Sequence, residues 1–283
     1  MKLEIAYSPC PNDCFIFDAL VHNRIDTKGI EFIPVLADVE SLNQSAFKQQ
    51  YAITKLSYHA YAWCSENYVL LDSGSALGRN CGPLLISKRE ISMEEVSSGK
   101  LKIAIPGKYT TANFLLGIAF PEVQQKQEMI FSAIENAVLN DEVDAGLIIH
   151  ENRFTYESKG LKKIIDLGEL WESKTRHPIP LGGIAMRRDI DSETICKVQA
   201  LIRESIDYAF AFPDDSMPYI RENASEMDES VMKKHIALYV NSFSLELGLE
   251  GKKAIEEMFA LGRRSKIIPQ INSELFNWCP QSQ

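Results

Sequence analysis

Apolar and polar residues alternate over positions 2–7, where Leu3, Ile5 and Tyr7 share one face, and predict a half-buried strand. The loop Ser8-Pro9-Cys10-Pro11-Asn12-Asp13 follows. Phe15, Ile16, Ala19 and Leu20 then recur at helical spacing, with Asn12 or Asp13 as the N-cap. The same order returns twice. Residues 51–54 predict a strand that leads through Lys55-Leu56 to Ser57, the cap of a helix over 58–63. Residues 101–105 predict another, followed by the turn Pro106-Gly107-Lys108-Tyr109 and a helix through Phe114, Leu115 and Ile118, capped by Thr110 or Thr111. A fourth unit reverses the order. A helix over 124–139, with Met129, Ile130, Ala133, Ile134 and Ala137 on one face, feeds a buried strand through Asp144-Ala145-Gly146-Leu147-Ile148-Ile149 that stops at His150.

Two similar segments bracket the third and fourth units. Gly82-Pro83-Leu84-Leu85-Ile86 and Leu181-Gly182-Gly183-Ile184-Ala185-Met186 are short apolar strands entered through Gly and left through basic residues. They read as two crossover strands joining two α/β lobes. Lobe one comprises 1–86 and 187–283, lobe two 87–186, and a ligand cleft lies between them. Residues 192–264 read as helices, with Ile195, Val198, Leu201, Ile202 and Ile206 on one apolar stripe and Ala254, Ile255, Met258 and Phe259 on another. Pro213, Pro218 and the Gly248/Gly251 region mark breaks.

Composition narrows the function classes. A chain of 283 residues, 45% hydrophobic and 24% charged, is long enough for two cores. A net charge of −9 (30 basic, 39 acidic) excludes a generic nucleic-acid binder. No apolar run approaches the ~20 residues of a membrane-spanning helix, so no membrane insertion is expected. The first residues, Met1 to Pro9, show no secretory signal pattern. The six cysteines form no CxxC pair and are sparse, which predicts free thiols in a reducing, cytoplasmic compartment. Cys10 and Cys14, four apart and far from His59, do not have zinc-site spacing.

Candidate chemistry collects at the predicted strand ends. In open α/β sheets, ligands bind beyond the carboxyl ends of parallel strands, and His150 stands there, available for proton transfer or as a strand cap. Lys55 and Ser57 either hold an anionic group or are a solvated lysine and a helix cap. One of Thr110 and Thr111 can cap while the other faces a ligand. Arg79, in a glycine-punctuated loop without GxGxxG order, either binds a carboxylate or pairs with a surface acid. Cys81 reads as a small buried residue. Ser57 and His59 do not face each other on a helix, and no GxSxG elbow exists, so a Ser-His-Asp triad is unsupported. His22, His177 and His235 read as surface or loop residues.

In order along the chain, Ser8-Pro9-Cys10-Pro11-Asn12-Asp13, Thr54-Lys55-Leu56-Ser57, Ser75-Ala76-Leu77-Gly78-Arg79 with Cys81-Gly82-Pro83, Pro106-Gly107-Lys108-Tyr109-Thr110-Thr111-Ala112, and Asp144-Ala145-Gly146 through His150-Glu151 together resemble the 1,4-dihydroxy-6-naphthoate synthases of the futalosine route to menaquinone. Cys14 stands where that family carries Thr. The resemblance implies a two-lobed, periplasmic-binding-protein-like (Venus flytrap) α/β fold working as a cytoplasmic carbon–carbon or carbon–oxygen lyase. It implies cyclic dehypoxanthinyl futalosine as the small-molecule substrate, His150 as proton acceptor, and substrate contacts at Lys55, Leu56, Ser57, Thr110, Thr111 and Ala112. Asn12 and Arg79 are further candidate contacts. No metal or organic cofactor is implied, and the oligomeric state is left open. Two rivals share the fold: a non-catalytic solute-binding protein, which predicts a signal peptide or lipoprotein cysteine, and the chorismate dehydratase of the same pathway, whose cleft would suit a dicarboxylate.

Overall fold

Two β-sheets carry the helices, in a computed structural model that describes residues 1–224, 228–276 and 279. The chain opens with β1 (Lys2–Tyr7), α1 (Pro11–Val21), β2 (Glu31–Leu36), α2 (Val39–Phe47), β3 (Ile53–Ser57), α3 (Tyr58–Cys64), β4 (Tyr68–Leu70) and β5 (Ala76–Gly78). It continues through β6 (Leu84–Ser87), α4 (Met93–Ser97), β7 (Ile103–Ile105), α5 (Thr111–Ala119), β8 (Lys126–Glu128), α6 (Ile134–Leu139), β9 (Ala145–Ile148), β10 (Lys162–Asp166) and α7 (Leu167–Thr175). The long strand β11 (Ile179–Arg187) then leads into α8 (Ser192–Ala211), α9 (Met217–Asn223), α10 (Glu229–Tyr239), α11 (Ser242–Leu245) and α12 (Gly248–Arg264).

The first sheet runs β2-β1-β3-β11-β4, with β5 also paired to β11. Its β2, β1 and β3 are parallel, and β11 is antiparallel to all its neighbours. The second sheet runs β10-β6-β9-β7-β8, with β9, β7 and β8 parallel. Each expected crossover segment belongs to one sheet alone: β6 pairs only in the second from Leu84 onward, and β11 only in the first from Ile179 onward. Hydrogen bonding thus assigns 84–86 to the second sheet and 179–186 to the first, so membership changes three residues before the first expected boundary and eight before the second.

One core lies between the first sheet and α1, α8, α9 and α10, and buries Ile5, Phe17, Ile184, Val198 and Ile202. The predicted α8 stripe is buried throughout. A second core joins both sheets to α5 and α12 through Leu56, Leu85, Ile103, Phe114 and Met258. The third packs α6 on β9 through Ile134, Val138 and Ile148.

Three expectations are corrected. The helix expected over 124–139 is confined to 134–139, because residues 126–128 pair with β7 as a parallel edge strand and Ile130 is exposed. Helix α1 is capped at Cys10 rather than at Asn12 or Asp13, since Pro11 occupies the first turn, where its missing N–H costs nothing. The cysteines are not all free: Cys196 on α8 is disulfide-bonded to Cys279, 83 positions on, a pairing with no local sequence signal. Cys10, Cys14, Cys64 and Cys81 are free and buried. No helix among the described residues is long and apolar enough to cross a membrane.

Candidate active site

The loops after the parallel strands β1, β3, β7 and β9 converge on one cavity, roughly 720 Å³ of empty space counting its open mouth, with a mostly apolar lining. Asn12 and Asp13 reach it from the first turn of α1, Lys55, Leu56 and Ser57 from the end of β3, and Thr110, Thr111 and Ala112 from the start of α5. His150 closes it from beyond β9, and Leu181 and Gly182 of β11 form another wall.

Lys55 is buried and its Nζ lies 2.6 Å from Asp13 Oδ1. Asp13 also accepts from Ser8 Oγ at 2.7 Å and from Asn12 Nδ2 at 2.9 Å. The anion that neutralises Lys55 is therefore internal, and the pair needs these partners to be tolerable away from water. Ser57 occupies the N-cap position of α3, but its side chain makes no capping bond. Its N–H donates to Asn43 Oδ1 and its Oγ accepts from Asn43 Nδ2. Thr110 is the cap of α5, accepting from the Asn113 N–H, while Thr111 Oγ1 donates to Leu181 O at 2.6 Å. Asn43 and Glu40 on α2 extend this side of the site; Glu40 Oε2 accepts from Tyr109 N–H at 3.1 Å.

His150 has φ +58°, a left-handed conformation that a non-glycine residue adopts at some cost. Burial, only partly offset by Asp13, pushes its pKa down to about 4, so the ring is neutral near pH 7. Its Nδ1 lies 3.5 Å from Cys10 Sγ, Phe131 meets it edge-on, and the His235 ring stacks at 6.1 Å. His235 is wholly buried on α10, with Nε2 2.8 Å from Asn12 Oδ1 and Nδ1 3.9 Å from Glu151 Oε2. Burial, with the Lys55 charge nearby, drives its pKa well below the usual imidazole value.

The sequence and fold have known relatives. Residues 3–264 match the protein family described as menaquinone biosynthesis. A 1,4-dihydroxy-6-naphtoate synthase of Thermus thermophilus is 43% identical over 258 residues, covering 91% of this chain and 93% of its own. The chain belongs to the menaquinone biosynthesis family. A crystal structure of a protein from Archaeoglobus fulgidus has 36% identity and a TM-score of 0.89, covering 94% of this chain and 98% of that one. The fold extends to the periplasmic aliphatic sulphonate binding protein of Escherichia coli, at 12% identity and TM-score 0.67, covering 100% of this chain and 93% of that one.

In this menaquinone biosynthesis family member, the cavity gathers His150, Lys55, Leu56, Ser57, Thr110, Thr111, Ala112 and Asn12. Arg79 is not among its lining residues. It pairs with Glu250 at 2.9 Å and Glu172 at 3.5 Å on the surface, the second of the two readings its loop allowed. Cys81 is buried, and desolvation raises its thiol pKa to about 12, which suits packing rather than nucleophilic attack. His59 is buried beside Thr110 O, 3.2 Å from its Nδ1. His22 pairs with Asp18 away from the cavity. The reading of His235 as a surface or loop residue is wrong: α10 folds back over α1 and presents it to His150. Sequence reasoning gave Asp13 and Glu151 no chemical role and set Cys10 aside as a metal ligand on spacing alone. The one available signal was their place within loops that end strands.

Proposed function

We propose that the chain converts cyclic dehypoxanthinyl futalosine to 1,4-dihydroxy-6-naphthoate, as a cofactor-independent lyase in which His150 accepts a proton. The observation that supports this best is a neutral imidazole at the carboxyl end of a parallel strand, facing a largely apolar cavity in a member of the menaquinone biosynthesis family. Proton acceptance requires one tautomer: Nδ1–H donates to Cys10 Sγ, which leaves Nε2 as the acceptor. Ser57 Oγ, which accepts from Asn43 and keeps its own proton to donate, is the candidate group for an oxygen that gains charge as the sugar-derived fragment leaves, whereas the Thr110 and Thr111 hydroxyls, which donate to Gly107 O and Leu181 O, would first have to exchange those bonds. Aromatisation supplies the driving force, so the protein needs a base, oriented donors and exclusion of water. Lys55 acts through Asp13, with which it is paired, and the two orient Asn12 and Ser8 around the cavity.

The two-lobed division belongs to the same reading. The units built on the two sheets act as lobes that close on substrate, with Leu56 and Ser57 on one side and Thr111 and Ala112 on the other. The test is incubation of purified protein with cyclic dehypoxanthinyl futalosine and detection of the naphthoate. His150→Asn, folded and still able to bind, is expected to lose about 10²–10⁴ in kcat. Wild-type protein that makes no naphthoate, or a His150→Asn variant within a few-fold of wild type, would overturn the assignment.

A further inference from the structure

Behind His150, one layer deeper than the cavity wall, three metal-ligating groups meet and a fourth stands beside one of them. Cys10 Sγ, His150 and Glu151 offer ligand atoms that all lie within 4.8 Å of one another. Cys10 Sγ and His150 Nδ1 are 3.5 Å apart. With Zn–S near 2.3 Å and Zn–N near 2.0–2.1 Å, a tetrahedral site needs an S···N edge of about 3.5 Å. His235 stands outside that set, facing Glu151, and joins it by a turn of its ring as the ion binds. Asn12 Nδ2 donates to Asp13 Oδ1, so Asn12 turns its carbonyl oxygen to His235 and accepts from Nε2–H. That bond fixes the tautomer. The His235 Nδ1 lone pair is left bare, fully buried and without a hydrogen-bond partner, 3.9 Å from Glu151 Oε2. A bare lone pair facing a carboxylate at that distance favours a cation between them. An amide carbonyl holding the distal N–H of a ligand imidazole is the usual support for a bound metal.

We propose that Cys10, His150, Glu151 and His235 form a binding site for a thiophilic divalent cation of the Zn²⁺ type, and that its occupation shuts the enzyme off. Binding replaces the Cys10 thiol proton, which leaves to solvent, and forms the S–metal bond. The metal takes His150 Nδ1, so the neutral ring must carry its hydrogen on Nε2 and can no longer accept a proton there. Cys10 follows β1 of the first sheet and His235 sits on α10, whereas His150 and Glu151 follow β9 of the second. The ion would therefore also pin the loops of the two sheets together across the cavity wall.

The inhibitory half rests on His150 as proton acceptor; the binding half does not. Chelator-treated full-length protein is titrated with ZnCl₂ by calorimetry in two buffers of different protonation enthalpy, and naphthoate formation is followed in parallel. The expected result is a saturable site that releases about one proton per ion. Cys10→Ser and His235→Asn, checked for folding by circular dichroism, should each weaken the site more than about tenfold. Asn12→Ala, which removes the support of His235, should weaken it about 10–100-fold. With Co²⁺ as probe, a thiolate-to-metal charge-transfer band should appear in wild type and vanish in Cys10→Ser. Zinc should inhibit turnover, chelator should restore it, and the inhibitory concentration should rise in Cys10→Ser relative to that variant's own zinc-free rate. Binding equal in wild type and in both ligand variants, or no saturable binding, would overturn the site and mean that only a proton lies between His235 and Glu151. Binding of the expected kind without inhibition would leave the site standing and overturn His150 as the base. Loss of activity in His150→Asn without zinc binding would do the reverse.

Discussion

Lys55 and Asp13 show how a residue pair can be indispensable jointly and costly singly. Both are almost fully buried, and each is the other's only oppositely charged partner given by the described contacts. Lys55→Met leaves a buried carboxylate, and urea unfolding should show a loss of about 3–5 kcal/mol. The double variant Lys55→Met/Asp13→Asn should recover much of that loss, because no unpaired charge remains; equal stability of single and double variants would contradict the pairing. Histidines bring pH into the ledger. Burial holds His59 neutral by lowering its pKa from 6.5 to about 4. The unfolded chain therefore binds a proton that the folded chain refuses, and stability must fall as pH drops from about 6.5 toward 4. His59→Gln should flatten that slope by about 1.4 kcal/mol per pH unit, read from urea midpoints across the window; an unchanged slope would show that His59 is protonated in the fold. At this scale the sequence was legible in placement: His150, Ser57 and Thr111, read from predicted strand ends, all line the cavity. It misplaced His235 on the surface or in a loop, because what brings that residue to Asn12 is the return of α10, 223 positions along the chain, and no local pattern encodes a return.

At the scale of elements, β9 carries His150 to the cavity and depends on Gly146. A Cβ there would stand 2.5 Å from Ile134 Cγ2 and 2.9 Å from Val138 Cγ2, so α6 can pack on β9 only over a bare backbone. Gly146→Ala should cost about 1–3 kcal/mol through overpacking, measured by thermal and urea unfolding. It should also lower turnover by displacing the strand end that presents His150. A neutral effect would mean that α6 shifts without strain. The strands and most helices were readable because their apolar periods differ, 2 against 3.6. The 124–139 segment was misread because an edge strand of three residues is too short to display a period, and Met129 and Ile130 mimic a helical face. Arg79 was ambiguous for another reason: a basic residue in a loop looks alike whether it meets a ligand or, as here, Glu250 and Glu172.

At the scale of the whole molecule, contacts span the cavity between units built on different sheets. Glu40 on α2 accepts the Tyr109 N–H, and Cys10 meets His150. In the closure proposed above these contacts belong to the closed state, so a ligand that adds to them should shift the balance toward closure. Glu40→Ala removes a charged acceptor worth about 1.5–3 kcal/mol in such settings. It should raise KM about tenfold or more and enlarge the radius of gyration measured by small-angle X-ray scattering without ligand, with saturating naphthoate restoring the compact value. Identical scattering for variant and wild type would argue against a latch. The place of β11 carries a separate consequence, for the order in which the protein is made. All five strands of the second sheet lie within residues 84–166 and are available as soon as the ribosome has released them. The first sheet has its middle missing until residues 179–187 emerge, since β3, β4 and β5 all bond to β11. During synthesis the inserted half can therefore assemble while the N-terminal strands wait, with β3 exposing an unpaired edge, and the start of the chain is the part that most needs shelter from aggregation.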